Sequence, residues 1–257
     1  MRLTFLGTGT SQGVPVIACG CGVCRSEDGR DKRLRTSALL TVNESTNILF
    51  DIGPDFRQQM LRERVKRLDA ILVTHAHRDH VAGLDDVRSF NYVQHKKMDV
   101  YLNREAKVAL ERDYKYIFEH HEFPGLPEAD LHEVEGTEKS FRVAEGVEVV
   151  PVRAMHKDLP ILGYRIGPLA YITDMKTIHE EEIPYIEGCD TLVVNALREK
   201  PHHSHQTLSE AVSFARRIGA RQTWLIHSSH DIGRHAEVNA SLPGHIQLAY
   251  DGQVVSI

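Results

Sequence analysis

The chain has 257 residues, of which 41% are hydrophobic and 26% charged, and a formal net charge of -5. That is the profile of an ordinary globular protein long enough to bury a full core; it argues against a membrane span and against a dedicated nucleic-acid surface, which shows as a basic excess. Four cysteines give little scope for a disulfide framework, and three of them, Cys19, Cys21 and Cys24, fall close together, a crowding that suits a metal better than crosslinks.

In chain order, residues 2–6 read as a first strand entering the glycine-rich loop Gly7 to Pro15, which lacks the lysine of a phosphate-binding P-loop. The apolar run at the start is too short for a secretory signal, so the expected location is the cytoplasm. The basic stretch Arg25, Arg30, Lys32, Arg33 and Arg35, interleaved with Glu27, Asp28 and Asp31, reads as a solvated face. Strands are expected at 36–42 and 47–51, joined by a turn at Asn43, followed by a helix over 56–64 started by Pro54 and Asp55. A buried strand is expected at 71–74, helices over 85–95 and 103–118 around a short strand at 99–102, and a loop over 119–131 that could form a lid. Further strands are expected at 141–143, 147–154, 161–166, 169–173, 190–196, 222–226, 246–249 and 254–257. A helix over 207–218 is expected to stop at Gly219. No repeat or linker marks a boundary, so a single domain over 1–257 with layered α/β packing and site residues at strand ends is expected. Cys189 reads as a small buried side chain.

The stretch the rest of the chain serves is Leu72 to His80, reading Leu-Val-Thr-His-Ala-His-Arg-Asp-His. If the chain stays extended beyond the strand, His75 and His77 point to one side and can chelate one ion. Asp79 and His80 begin a tighter turn and aim elsewhere, which suits a second ion. Three later strand ends also supply donors: His156, Asp174 and His227.

That set and its order resemble the metallo-β-lactamase superfamily, over nearly the whole chain. The resemblance implies an αββα four-layer sandwich in which two mixed β-sheets are flanked by helices. It implies that His75, His77 and His156 hold one ion, that Asp79, His80 and His227 hold a second, and that Asp174 bridges them. The glycine-rich loop with Cys19, Cys21 and Cys24 is similar to that of the phosphoribosyl cyclic phosphate phosphodiesterases. In that family such cysteines and a histidine three residues past the last active-site ligand, here His230, form a separate structural zinc site at the N-terminal loop. Ser204-His205 ahead of the 207–218 helix resembles the position of the histidine that protonates the leaving group there and in the tRNA 3′-processing endonucleases. The helix dipole disfavours the cationic form of His205, which a phosphate or carboxylate can offset.

By this resemblance the chain is expected to be a hydrolase that cleaves a small phosphodiester, cyclic ribose or nucleotide in type. A hydroxide bridging two divalent ions (zinc or manganese, with iron a further choice) would attack, while Asp79 orients the nucleophile and His205 acts as acid. A homodimer is the family-based expectation. The rivals are tRNA 3′-end processing, against which the chain lacks the glycine- and proline-rich arm of that family, and a non-catalytic, thioester-hydrolysing or lactam-hydrolysing member of the superfamily.

Overall fold

The computed structural model describes residues 1–119, 125–137 and 139–257. Six strands build most of the first sheet: β1 (Arg2–Gly7), β2 (Ser37–Thr41), β3 (Asn47–Phe50), β4 (Ala70–Leu72), β5 (Met98–Leu102) and β6 (Ala129–Glu133). The second sheet is built by β7 (Phe141–Val143), β8 (Val147–His156), β9 (Leu159–Ile166), β10 (Leu169–Ile172), β11 (Thr177–Ile178), β12 (Thr191–Asn195), β13 (Gln222–Ile226) and β14 (Ile246–Leu248). The last strand, β15 (Val254–Ser256), returns to the first sheet beside β1.

The spatial orders are β15-β1-β2-β3-β4-β5-β6 and β11-β8-β9-β10-β12-β13-β14, with β7 on β8. Each sheet is antiparallel at one end and parallel at the other: β3-β4-β5-β6 and β10-β12-β13-β14 are the parallel runs. Parallel strands need crossovers, and crossovers leave polar loops at the strands' carboxyl ends, where sites form. The near-continuous burial of β3, β4, β10 and β12 follows from their being covered on both faces.

The two sheets pack through a core that includes Leu3, Phe5, Phe50, Tyr164, Tyr171 and Ile226. Phe50 and Tyr171 stack across it with ring centroids 4.3 Å apart, a contact worth about 0.5–1.5 kcal/mol beyond the area it buries. Two further cores lie on the outer faces. One packs α1 (Phe56–Arg62) and the helices after it against the first sheet, through Phe56, Met60, Phe90 and Leu110. The other packs the later helices against the second sheet, through Ala211, Phe214 and Ile218. The result is the expected αββα sandwich.

Several boundaries differ from the expectations for identifiable reasons. The helix expected over 103–118 breaks at Tyr114, whose hydroxyl donates to the Val81 carbonyl at 3.0 Å; the pieces are separated by that tertiary contact. The helix expected over 85–95 opens as a 3₁₀ turn over Leu84–Val87 before turning α-helical at Arg88. The segment expected to be a loop over 119–131 ends in β6, which pairs in parallel with β5. Its polar sequence, Ala-Asp-Leu-His-Glu, hides an edge strand half open to solvent; the remainder of the lid expectation, 120–124, lies outside the described residues. The basic stretch is not uniformly solvated: Arg33 is buried, and its Nη1 donates to Thr8 Oγ1 and to the Ala249 carbonyl, both at 2.8 Å. It lies beside Asp251, whose carboxylate accepts from Thr8 and Leu34 and is pushed up to about 6 by burial. This network ties the start of the glycine-rich loop to the end of the chain. Cys189 is buried as expected. Among the described residues no helix is long and apolar enough to cross a membrane.

Candidate metal centre

The strand β3 ends in Asp51, β4 runs on through Val73 and Thr74 into His75, β8 ends in His156, β10 runs into Asp174, and β13 ends beside His227. Asp51, Asp174 and His227 all take left-handed backbone conformations, with φ of 59°, 61° and 55°. Left-handed backbone is uncommon in residues with a side chain and gathers at functional sites. Here it turns each side chain inward at the point where its strand stops.

The loop after β3 is locked against the histidine motif. Ile52 N donates to the His80 carbonyl at 2.8 Å and Gly83 N to the Ile52 carbonyl at 2.9 Å. A Cβ on Gly53 would stand 2.2 Å from the Asp79 carbonyl oxygen, so only glycine lets the two loops approach this closely. His77 caps the short helix α2 (Arg78–Val81), and the turn swings Asp79 and His80 away from His75 and His77.

Hydrogen bonds fix which nitrogen each imidazole offers. His156 Nδ1 contacts the Asp174 backbone carbonyl at 2.8 Å; a carbonyl only accepts, so Nδ1 carries the proton and Nε2 keeps its lone pair. His80 Nδ1 is held by Asp51 Oδ2 at 2.7 Å, again freeing Nε2. Thr74 Oγ1 donates to the Asp51 carboxylate and therefore accepts from His75 Nδ1, 3.0 Å away. Thr10 Oγ1, from the glycine-rich loop, lies 3.1 Å from His227 Nε2 and leaves Nδ1 facing inward.

The inward nitrogens converge on one carboxylate. Asp174 Oδ1 lies 3.5 Å from His80 Nε2 and 3.0 Å from His227 Nδ1. Asp174 Oδ2 lies 3.8 Å from His75 Nε2 and 3.8 Å from His205 Nδ1. Asp79 Oδ2 is 3.2 Å from His80 Nε2. Donor atoms of His75, His77 and His156 lie within 4.8 Å of one another, as do those of Asp79, His80, Asp174 and His227. The structure thus brings together all seven residues that the sequence nominated for the centre.

Whether such a set fits metal can be asked of its polar atoms. His75 Nε2 and His205 Nδ1 are buried without a hydrogen-bond partner, and His80 Nε2 and His227 Nδ1 face the carboxylates of Asp79 and Asp174 without an aligned hydrogen bond. An unsatisfied buried polar atom costs about 1–3 kcal/mol, and four nitrogens aimed at one point make no sense as packing. Imidazole nitrogens and carboxylate oxygens at this spacing are a donor set for divalent transition ions. Electrostatics agree. Burial holds His75 well below the usual imidazole range, in the neutral form a ligand needs. Burial acts on His80 in the same direction but is outweighed by Asp174, Asp79 and Asp51, which hold it well above that range; this is the signature of a negative pocket in need of a cation. His80 and His227 in turn hold Asp174 ionised despite its burial.

His205 lies just before α3 (Leu208–Ile218), whose start is fixed by a capping box between Thr207 and Glu210. It is 9% exposed, and its donor atom groups with those of His156 and Asp174. Burial lowers its pKa to about 3, with the Asp174 carboxylate pulling the other way.

A second cluster stands apart. The sulfurs of Cys19, Cys21 and Cys24 lie 3.4, 3.3 and 3.5 Å from His230 Nδ1. Zn–S bonds of about 2.3 Å and Zn–N bonds of about 2.0–2.1 Å give a tetrahedron with S···N edges of roughly 3.6 Å, so the four residues fit one closed zinc site. None of the cysteines is in a disulfide.

Two residues of the site were not foreseen. Asp51 read only as the end of a strand, and its partner His80 comes close only because β3 and β4 lie side by side in parallel. Thr10 belonged to a loop whose glycines drew the attention. A lone Asp at a buried strand end was the available signal for the first.

The model of the beta-lactamase superfamily domain matches residues 46–228. A protein of Porphyromonas gingivalis named octanoyltransferase is 45% identical over 253 residues, 98% of this chain and 51% of that protein. The ribonuclease Z of Listeria innocua is 34% identical over 112 residues, 42% of this chain and 32% of that enzyme. The chain therefore spans about half the length of the first of these relatives and about a third of the second. The crystal structure of a diphosphatase from the PhnP family matches with a TM-score of 0.91 and 39% identity, covering 100% of this chain and 97% of that one. The chain belongs to the beta-lactamase superfamily and, through its full-length likeness to that diphosphatase, to the PhnP family within it.

Proposed function

We propose that this protein is a dinuclear metal-dependent phosphodiesterase acting on a small phosphodiester of cyclic ribose or nucleotide type. The observation that carries this reading is the division of Asp174, with one oxygen facing His80 and His227 and the other facing His75. That is the disposition of a carboxylate shared between two cations. His75, His77 and His156 would hold one and Asp79, His80 and His227 the other. The donors suit zinc or manganese, with iron a further choice. When bound, such a pair makes a nucleophile of water at neutral pH and polarises phosphoryl oxygens.

The chain's own residues do the rest. Asp51 and Thr74 hold His80 and His75 in the ligating tautomer; Asp79 orients the attacking water. His205 delivers a proton from Nδ1 to the departing oxygen. A phosphodiester anion beside this imidazole adds to the pull of Asp174 and offsets the burial that otherwise keeps it neutral. Cys19, Cys21, Cys24 and His230 hold a structural zinc that staples the N-terminal loop to the segment after β13. We further propose a cytoplasmic homodimer whose substrate is a small molecule and not a nucleic acid.

The likeness to a diphosphatase supports phosphoryl chemistry over thioester or lactam hydrolysis. The octanoyltransferase name favours acyl chemistry, yet it belongs to a protein of which this chain matches about half. Turnover of bis-p-nitrophenyl phosphate after reconstitution with each metal, set against an octanoyl thioester, a lactam and a precursor tRNA, decides among these. Turnover of bis-p-nitrophenyl phosphate alone is expected; cleavage of the thioester or of the tRNA without turnover of bis-p-nitrophenyl phosphate would reverse the assignment.

A further inference from the structure

Two cavities flank the metal centre, and the glycine-rich loop is the ridge between them, since Ser11 and Gln12 line both. The ridge is stiffly built: Gly9 N donates to Leu34 O and Gly13 N to Thr10 O, both at 2.8 Å, and Thr36 Oγ1 donates to Gly9 O at 2.8 Å. Both cavities are therefore preformed.

They differ in chemistry. The smaller, about 210 Å³, holds His205, His202 and Arg198, with the Asp231 carboxylate 3.8 Å from the Arg198 guanidinium. It is polar and close to neutral. The larger, about 470 Å³, holds Asp79 and is walled by Val16, Ile17, Pro54 and Ala82, with Arg35 and Arg78 also lining it. The guanidinium of Arg35 is paired with Asp55 at 3.0 Å; that of Arg78 is paired with Asp113 at 3.3 Å and lies over the Tyr114 ring, but with 63% exposure it keeps donors open to the cavity. Ile17 is the anomaly. It is 94% exposed, the most open of the large apolar side chains on the described surface, and it stands at the mouth of a polar metal centre. A lone exposed isoleucine elsewhere needs no explanation, but one on the wall of a catalytic cleft is available to a ligand.

We propose that the Ile17 cavity is the subsite for the arm of the phosphodiester that stays on phosphorus after hydrolysis, and that this arm is a flat aromatic or heteroaromatic group lying on Ile17 and Val16 with Arg78 at its edge. The inference rests on the phosphodiesterase reading above. The acid must reach the leaving oxygen, and His205 lines the other cavity, so the leaving arm occupies the polar side. Water oxygen forms the new bond to phosphorus and gives up one proton to solvent, the bond from phosphorus to the leaving oxygen breaks, and that oxygen takes the proton of His205, which solvent then restores. The ring-bearing phosphate monoester is left beside Asp79. A ring covered by an aliphatic wall gains from apolar burial, and a carbonyl or ring nitrogen on its edge accepts a hydrogen bond from the guanidinium. Ile17 and Arg78 thereby determine specificity.

The test compares thymidine 5′-phosphate p-nitrophenyl ester with methyl p-nitrophenyl phosphate, which share a leaving group and differ only in the retained arm. The metal-loaded wild type should favour the nucleotidyl ester by about tenfold or more in kcat/KM. Ile17→Ser and Arg78→Ala should each bring that ratio down several-fold, mainly through KM, and Ile17→Phe should keep it. An unaltered ratio in Ile17→Ser and Arg78→Ala overturns the assignment, as does a change in oligomeric state as the sole effect of Ile17→Ser. If the wild type turns over neither ester, the phosphodiesterase reading fails separately. Calorimetric binding of thymidine 5′-phosphate then reads the subsite by itself: weaker binding to Ile17→Ser supports it, and equal binding overturns it.

Discussion

The two donor clusters meet just past the carboxyl end of β13, with His227 and His230 only three residues apart, yet they are built differently. The Cys3His set closes on itself, its three sulfurs all within 3.3–3.5 Å of one nitrogen, and its members come from a single loop and one following turn. The histidine and carboxylate set is drawn from strand ends in both sheets, is more deeply buried, and opens onto two cavities. A closed tetrahedron of soft donors leaves no position for a substrate, whereas an open set of nitrogen and oxygen donors does. On the proposed reading one cluster holds the fold and the other does the chemistry, and each variant below should break only one side of that contrast.

The largest effect is expected from Asp174→Ala. Removing the carboxylate that faces both halves of the centre should bring phosphodiester hydrolysis to background, measured with bis-p-nitrophenyl phosphate, while the melting temperature stays near or below that of the parent. Next, His205→Ala should lower kcat by about 10²–10⁴, the span of general acid catalysis, with metal content unchanged by elemental analysis. This variant sharpens the contrast because His205 Nδ1 also lies within ligand distance of the His156 and Asp174 donors. Loss of an ion would make it a ligand, and wild-type turnover would remove it from the mechanism.

A smaller loss is expected from Asp51→Asn. The amide cannot hold the His80 Nδ1 proton as the carboxylate does at 2.7 Å, and an outer-shell partner of this kind is worth about 10–100-fold in metal affinity. Competition with a chelator reads it directly, and an unshifted affinity would contradict the role given to Asp51. Cys21→Ser should act on the other side alone. We expect a melting temperature lower by roughly 5–10 °C, at about 2–4 °C per kcal/mol for a domain of this size, with kcat per loaded active centre within about threefold of the parent. An unchanged melting curve would refute the staple.

The centre was legible in the sequence because its donors are clustered or placed directly after apolar runs. His75, His77, Asp79 and His80 share one short motif, and Asp174 and His227 each end a buried strand. What depends on pairing between distant strands was not legible. Asp51 sits 29 residues before His80, and nothing local marks it until the parallel β3-β4 ladder sets them side by side. Arg33 looked like one more charge in a solvated run, because its burial comes from Thr8 and Ala249, which lie far off in the chain. The edge strand β6 escaped for the opposite reason. Half exposed, it carries too few apolar residues for periodicity to register, and backbone pairing with β5 alone makes it a strand.

The claim on which all of this turns is that one carboxylate serves two cations while a separate site holds a third. Metal content per chain after reconstitution and desalting, compared for the parent, Asp174→Ala and Cys21→Ser, tests it most directly. The account predicts that Asp174→Ala loses the active-centre ions and keeps the one bound by the cysteines, and that Cys21→Ser does the reverse. Equal losses in the two variants, or none in Asp174→Ala, would contradict it.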